Sequence, residues 1–223
     1  MSTTPANDLG IPVRAVSFVA VEPWRDAAGK LSLLVMMCQT SSALFVAEVD
    51  LETGHCRQVL ATQPNTDGGI CLRSRDGTLY IASNSGYLLR FRPGDLALSQ
   101  LGKLFEIDGQ SPVLMAETPD GMIFIGGCNA CILTRYEPAS NTFTRYGKMD
   151  PEDQYFYPKA GIDGTVAGLV LMCHPHVVLV DPQTGEPRSL GPVAHRDGGH
   201  GHVSLHKLAD GMLYIESHEG HFR

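Results

Sequence analysis

Six of the nine histidines fall in one C-terminal stretch, HRDGGHGHVSLHKLADGMLYIESHEGHFR: His195, His200, His202, His206, His218 and His221. Two more, His174 and His176, flank Pro175. Neutral imidazole is a ligand for Zn, Mn, Fe or Ni, and it titrates near neutral pH, so it also serves as a general base. His200 and His202 are two residues apart at the start of a strand pattern, so both should point the same way. His174 and His176 can do likewise in an extended loop. The expected metal ligands are His174, His176, His200, His218 and His221, with Glu219 as an added carboxylate. His202 and Tyr157 are the expected catalytic groups, one of them taking a proton from carbon next to a carboxylate. Tyr155, Asn129 and His195 are the expected substrate contacts. The plainer reading is that loops collect His with Gly and Pro, and that Tyr155, Phe156 and Tyr157 are packing.

Whether these side chains meet depends on the elements that carry them. Helical periodicity is almost missing. Short β-branched and aromatic runs alternate with Gly, Pro, Asp and Asn instead. The runs repeat: DGTLYIAS, DGMIFIGG, DGTVAGLV and DGMLYIES start at Asp76, Asp120, Asp163 and Asp210, 44, 43 and 47 residues apart. A second landmark, the turn after the next strand, begins at Asp50, Arg92, Glu137 and Asp181, spaced 42, 45 and 44. A third, at Gly102, Gly147 and Gly191, is spaced 45 and 44. Asp-Gly supplies the positive φ of a two-residue hairpin, and Asp-Pro-x-Thr-Gly closes a longer one. Each period therefore holds four short antiparallel strands, which is a propeller blade. A β-sandwich is the alternative, but its turns do not recur at one period.

The fold expectation is all-β: a β-propeller of about four and a half four-stranded blades. Residues 1–12 form an N-terminal extension. Residues 13–223 form one domain, with blades near 13–61, 68–104, 110–149, 155–193 and a partial 199–223. The last unit lacks its third and fourth strands, which implies an incomplete ring: a truncated product, part of a split gene, or an edge covered by another copy. In a blade the first strand lies at the channel. The loop leading into it and the loop between strands two and three open on one face. That placement gathers His174, His176, His195, His200, His202, His218, His221, Tyr155 and Tyr157. His55 and His206 fall outside it.

The bulk numbers narrow the partners. The 223 residues are 43% hydrophobic and 18% charged, enough to bury a core. Net charge is −7, with 24 acids against 17 bases, which argues against nucleic acid as a partner. The most apolar run, LSLLVMMC, is too short to cross a bilayer as a helix. No signal peptide is visible, so the six cysteines read as reduced thiols in a cytoplasmic protein. Cys128 and Cys131, as CNAC, could be redox-active or half a zinc site. With no following helix and no second pair, they read as structural. Gly126-Gly127 has no following Lys or helix, so no nucleotide cofactor is expected.

The stretch TPDGMIFIGGCNACILTRYEPASNTFTRYGKM, Thr118 to Met149, resembles the repeat of bacterial propellers such as streptogramin-type lyases and propeller polysaccharide lyases. Units two to four resemble it well and unit one loosely. The resemblance implies the fold and, in those families, histidines on one face, often with a divalent metal. No unit matches a catalytic signature from which a residue carries over. Two functions stand: a metal-assisted lyase acting by β-elimination on a carbohydrate or related cyclic substrate, or a non-catalytic propeller that binds a ligand or protein, including an inactive fragment.

Overall fold

The computed structural model describes residues 16–25, 29–39, 44–61, 68–190, 203–217 and 220–222. Blade 1 has strands β1 (Val16–Arg25), β2 (Leu31–Gln39), β3 (Leu44–Asp50) and β4 (Cys56–Leu60). Blade 2 has β5 (Ile70–Arg73), β6 (Leu79–Ala82), β7 (Tyr87–Phe91) and β8 (Ser99–Lys103). Blade 3 has β9 (Pro112–Glu117), β10 (Ile123–Gly127), β11 (Ile132–Glu137) and β12 (Thr142–Lys148). Blade 4 has β13 (Tyr155–Ala160), β14 (Val166–Leu171), β15 (His176–Val180) and β16 (Pro187–Ser189). Blade 5 has β17 (Ser204–Lys207), β18 (Leu213–Ser217) and β19 (Gly220–Phe222). Each sheet is an antiparallel meander in chain order. The first strands of successive sheets approach one another, so they line the centre. The fold is the propeller read from the repeat, with one addition: the last unit has a short third strand. The expected extension 1–12 lies outside the described residues.

The Asp-Gly turns are built differently from the expected two-residue hairpin. Gly77 N–H donates to Ser74 O at 2.9 Å and Ser74 N–H to Thr78 O at 2.8 Å. Gly77 has φ 84°, while Asp76 keeps an ordinary negative φ. This is a three-residue loop with glycine in the left-handed place. The aspartate caps it: Asp76, Asp163 and Asp210 each accept the amide two residues on, at 2.9, 3.0 and 2.9 Å. Only glycine tolerates the left-handed place cheaply, and a short carboxylate reaches the free amide. That is why Asp-Gly recurs.

Strand alternation divides each sheet into two faces, and the faces pack blade on blade. Leu34, Met36, Val46 and Val59 of blade 1 meet Leu79, Ile81, Leu89 and Phe91 of blade 2. Tyr80, Ala82 and Leu88 then meet Ile123, Ile125 and Ile132 of blade 3. Phe124 and Leu133 meet Phe156, Val166 and Val178 of blade 4. Ala167 and Val177 meet Leu205 of blade 5. The core is thus a series of interblade layers. They hold the loops at each end of the ring in fixed register.

Candidate functional site

Three loops of blades 3 and 4 meet at the end of the ring where β13 begins. The 128–131 loop, CNAC, links to both lead-in loops beside it. Cys128 N–H donates to Ser111 O at 2.9 Å, and Cys131 N–H to Gln154 O at 2.8 Å. Asn129 and Cys131 have φ of 70° and 49°, so CNAC is a left-handed kink, with no helix after it. Cys131 is buried, and burial, with Asp150 and Asp153 nearby, pushes its thiol up to about 12. Thiolate is the reactive form. A thiol reagent at pH 8 should therefore modify exposed Cys56 and Cys173 in the folded protein and spare Cys131 until it unfolds. Mass-spectrometric mapping of the labelled sites checks this. Early labelling of Cys131 would contradict the packing.

The 149–154 lead-in loop and the 172–175 loop carry the polar cluster. One ligand atom from each of Asp150, Asp153 and His176 lies within 4.8 Å of the other two. Asp153 and His176 are buried, at 3% and 7% exposure, and Asp150 is half-buried. Asp150 Oδ1 accepts the amides of Glu152 and Asp153, both at 2.8 Å. Its Oδ2 stands 3.6 Å from His176 Nε2. Asp153 accepts the Cys173 and His174 amides at 2.5 and 3.0 Å. His176 Nδ1–H donates to His174 O at 2.6 Å. A carbonyl can only accept, so this bond puts the proton on Nδ1. In the neutral ring the Nε2 lone pair is then left toward the carboxylates, the usual arrangement behind a metal-binding imidazole. Among the described residues no Lys or Arg pairs with either aspartate. Two carboxylates this close repel each other, and a divalent cation relieves that. The donor set therefore fits a cation with oxygen and nitrogen ligands, such as Mn or Zn.

The loop that presents His176 is held in an uncommon shape. Met172 has φ 124°, a region that residues with a Cβ rarely adopt. The grip of Asp153 on the next two amides keeps it there. Such backbone strain persists only where surrounding contacts over-determine it.

Around this cluster the structure sorts the expected site residues. His174 and His176 do not share a target: His174 Nδ1 pairs with Glu152 Oε2 at 3.0 Å, on the exposed rim. Tyr155 and Tyr157 alternate along β13, and their rings stack with centroids 5.9 Å apart and planes 11° apart. Burial, with Tyr155 and Cys128 close by, pushes the Tyr157 phenol above its ordinary value. Asn129 is exposed, and its Nδ2 donates to Gly109 O at 2.9 Å. His221 lies on β19 opposite Glu216 in the register. His195, His200, His202, His218 and Glu219 lie outside the described residues. His206, set apart in the sequence reading, pairs with Glu216 on the outer face of blade 5 at 3.0 Å. Asp150 and Asp153 were not among the expected ligands. Their signal was in the sequence, as two acids of Asp-Pro-Glu-Asp in the lead-in loop.

No protein-family model matches the chain, and no curated protein matches it. Solved structures do. Virginiamycin B lyase from Staphylococcus aureus is 12% identical with a TM-score of 0.66, over 94% of this chain and 74% of that one. Streptogramin B lyase is 12% identical with a TM-score of 0.63, over 90% and 65%. Oligogalacturonate lyase in complex with manganese is 12% identical with a TM-score of 0.52, over 92% and 72%. The likeness is one of fold. It makes the chain similar to propellers of the streptogramin-type and polysaccharide lyases in architecture, as the repeat implied.

Proposed function

We propose that the loop face of blades 3 and 4 is the active site of a metal-assisted lyase. It would open a carbohydrate or related cyclic substrate by β-elimination. The observation that carries the reading is the Asp150–Asp153–His176 set, with the His176 Nε2 lone pair turned to the carboxylates. Solved structures of the same fold include lyases, one of them with manganese, which supports the reaction class. Asp150, Asp153 and His176 would hold the cation. When bound it would polarise a substrate carboxylate and acidify the neighbouring C–H. An imidazole then takes that proton: His202 is the expected base, and among the described residues His174, oriented by Glu152, is the exposed imidazole of this face. The C–H electron pair becomes the new double bond, and the β C–O bond breaks. The Tyr157 phenol stays protonated at neutral pH, so its role is to give a proton to the leaving oxygen. Tyr155, stacked on it, offers a ring face to a sugar. We place the protein in the cytoplasm on its six free cysteines.

One observation favours a second reading. Both Asp153 oxygens accept backbone amides, so this aspartate also staples the 172–175 loop. A non-catalytic, ligand-binding propeller needs no more than that. The test is to incubate the protein with uronic-acid polysaccharides and follow the ultraviolet absorbance of unsaturated products. The lyase reading expects absorbance that rises with added Mn²⁺ and stops with chelator. No rise with any such polysaccharide, at saturating cation, overturns it in favour of the binding reading.

A further inference from the structure

We propose that the space between blades 4 and 5 is a second ligand site, for a small aromatic or alicyclic carboxylate. It does not rest on the lyase reading. The repeat itself exposes it. Each earlier blade sends at least one aromatic ring into the layer it shares with the next. In blade 2 the ring is Tyr80 and in blade 3 Phe124, both at most 2% exposed. In blade 1 it is Trp24, one strand over, opposite Ser32 in the register and packed on the same layer. Blade 4 has Ala167 at the position of Tyr80 and Phe124, opposite Lys159 and Leu179. Among the described side chains no ring fills the layer there.

What remains is a cavity of about 450 Å³, lined by Ala167, Val177, Leu179, Leu205, Leu213 and Ile215, with Asp163 and Arg188 also on its wall. That volume is in the range of small-molecule pockets. The groove between blades 3 and 4 is of similar size, about 400 Å³, but its wall includes Thr118, Asp120, Arg135, Asp163 and Gln183. The blade 4–5 cavity is mainly aliphatic, which suits an apolar ring. Arg188 sets the polar end. It stands directly opposite Leu179 in the register, so its side chain leaves the sheet on the same face. Its side chain makes no ion pair or hydrogen bond with any described residue. A guanidinium takes a carboxylate with two parallel N–H donors. Asp163, whose Oδ1 already accepts the Thr165 amide, disfavours a second anionic group. The site is separate from the metal cluster: the Asp163-Gly164 turn follows β13, whereas the Asp150–Asp153 loop precedes it.

The test uses the whole chain and two probes, naphthalene-2-carboxylate and its uncharged carboxamide, titrated by calorimetry. The expected result is saturable binding at one site, with the carboxylate preferred. Ala167→Phe restores the ring that blades 2 and 3 carry. It should hold or raise the melting temperature and weaken both probes at least about tenfold, because the void is filled. Should the phenyl ring prove too large to fold, Ala167→Leu fills part of the space and should weaken binding in the same direction. Arg188→Gln, on the surface, should leave carboxamide binding unchanged and remove the preference for the carboxylate. Either of two results overturns the proposal: no binding to the wild type, or binding that a folded Ala167 variant leaves intact. The latter would assign the probes to the open outer face of blade 1, where Val21 and Leu60 are half exposed.

Discussion

Gly126→Ala is expected to destabilise the protein by about 3 kcal/mol, the upper end of what overpacking a core does. A Cβ at this position would lie 1.9 Å from Phe156 O and 2.6 Å from Pro158 Cδ. Phe156 O is backbone of β13, so no rotamer change relieves the contact. Blades 3 and 4 would have to part, and with them the loops that carry Asp150, Asp153 and His176. Gly94→Ala is the control. Gly94 has φ 95°, but its Cβ would meet nothing within 4 Å, so the loss there is limited to about 1–2 kcal/mol of left-handed backbone strain. Urea unfolding of the two variants beside the wild type measures both. A Gly126→Ala loss no larger than that of Gly94→Ala would mean that the two blades are less closely apposed than the structure has them.

Asp150→Asn is expected to weaken divalent-cation binding by about a hundredfold, and any cation-dependent elimination with it. The substitution keeps the shape of the loop. The amide oxygen can still accept the Glu152 and Asp153 N–H groups, as Oδ1 does now. What changes is the atom facing His176 Nε2, from an anionic oxygen to an NH₂ group that cannot ligate. Melting followed with rising Mn²⁺ separates the two roles of the cluster. At about a hundred times its Kd the cation should stabilise the wild type by about 2.7 kcal/mol. The variant should melt like the wild type without cation and gain little from it. A variant that binds Mn²⁺ as tightly as the wild type would remove Asp150 from the site. If neither protein binds Mn²⁺, the cluster is a loop staple and the lyase reading loses its main support.

The fold was legible because its signal is periodic and local. Asp-Gly turns 43 to 47 residues apart, with short β-branched and aromatic runs between them, leave few architectures open. The turn type was less legible. Asp-Gly serves both a two-residue hairpin and a glycine-bulged loop, and the choice depends on which carbonyl the Gly77 amide finds across the strand pair. The candidate site was legible in part. The loops that open on one face follow from the meander, and that reasoning put His174, His176, Tyr155 and Tyr157 together on blade 4. It did not show that His176 would turn to Asp150 while its neighbour turned to Glu152. Residues two apart share a side only in regular extended backbone, and the strained Met172 and the amides held by Asp153 break that regularity just before β15.

Histidine is conspicuous in a sequence, while aspartate in a loop looks like a turn former. Asp150 and Asp153 were therefore passed over. They sit beside His176 because the lead-in loop of a first strand and the loop between strands two and three lie at one end of a blade.

The sequence by itself determined the class of the fold, the four-strand period and the Asp-Gly turns. These depend on spacing and on the backbone preferences of single residues, which act over a few positions. Only the tertiary structure decided which carboxylates stand against which imidazole. It also decided that Gly126 must have no side chain, and that the ring missing at Ala167 leaves a cavity. Each of these is set by how closely segments about 20 to 50 residues apart in the chain approach across neighbouring strands and blades, and no local pattern encodes that distance.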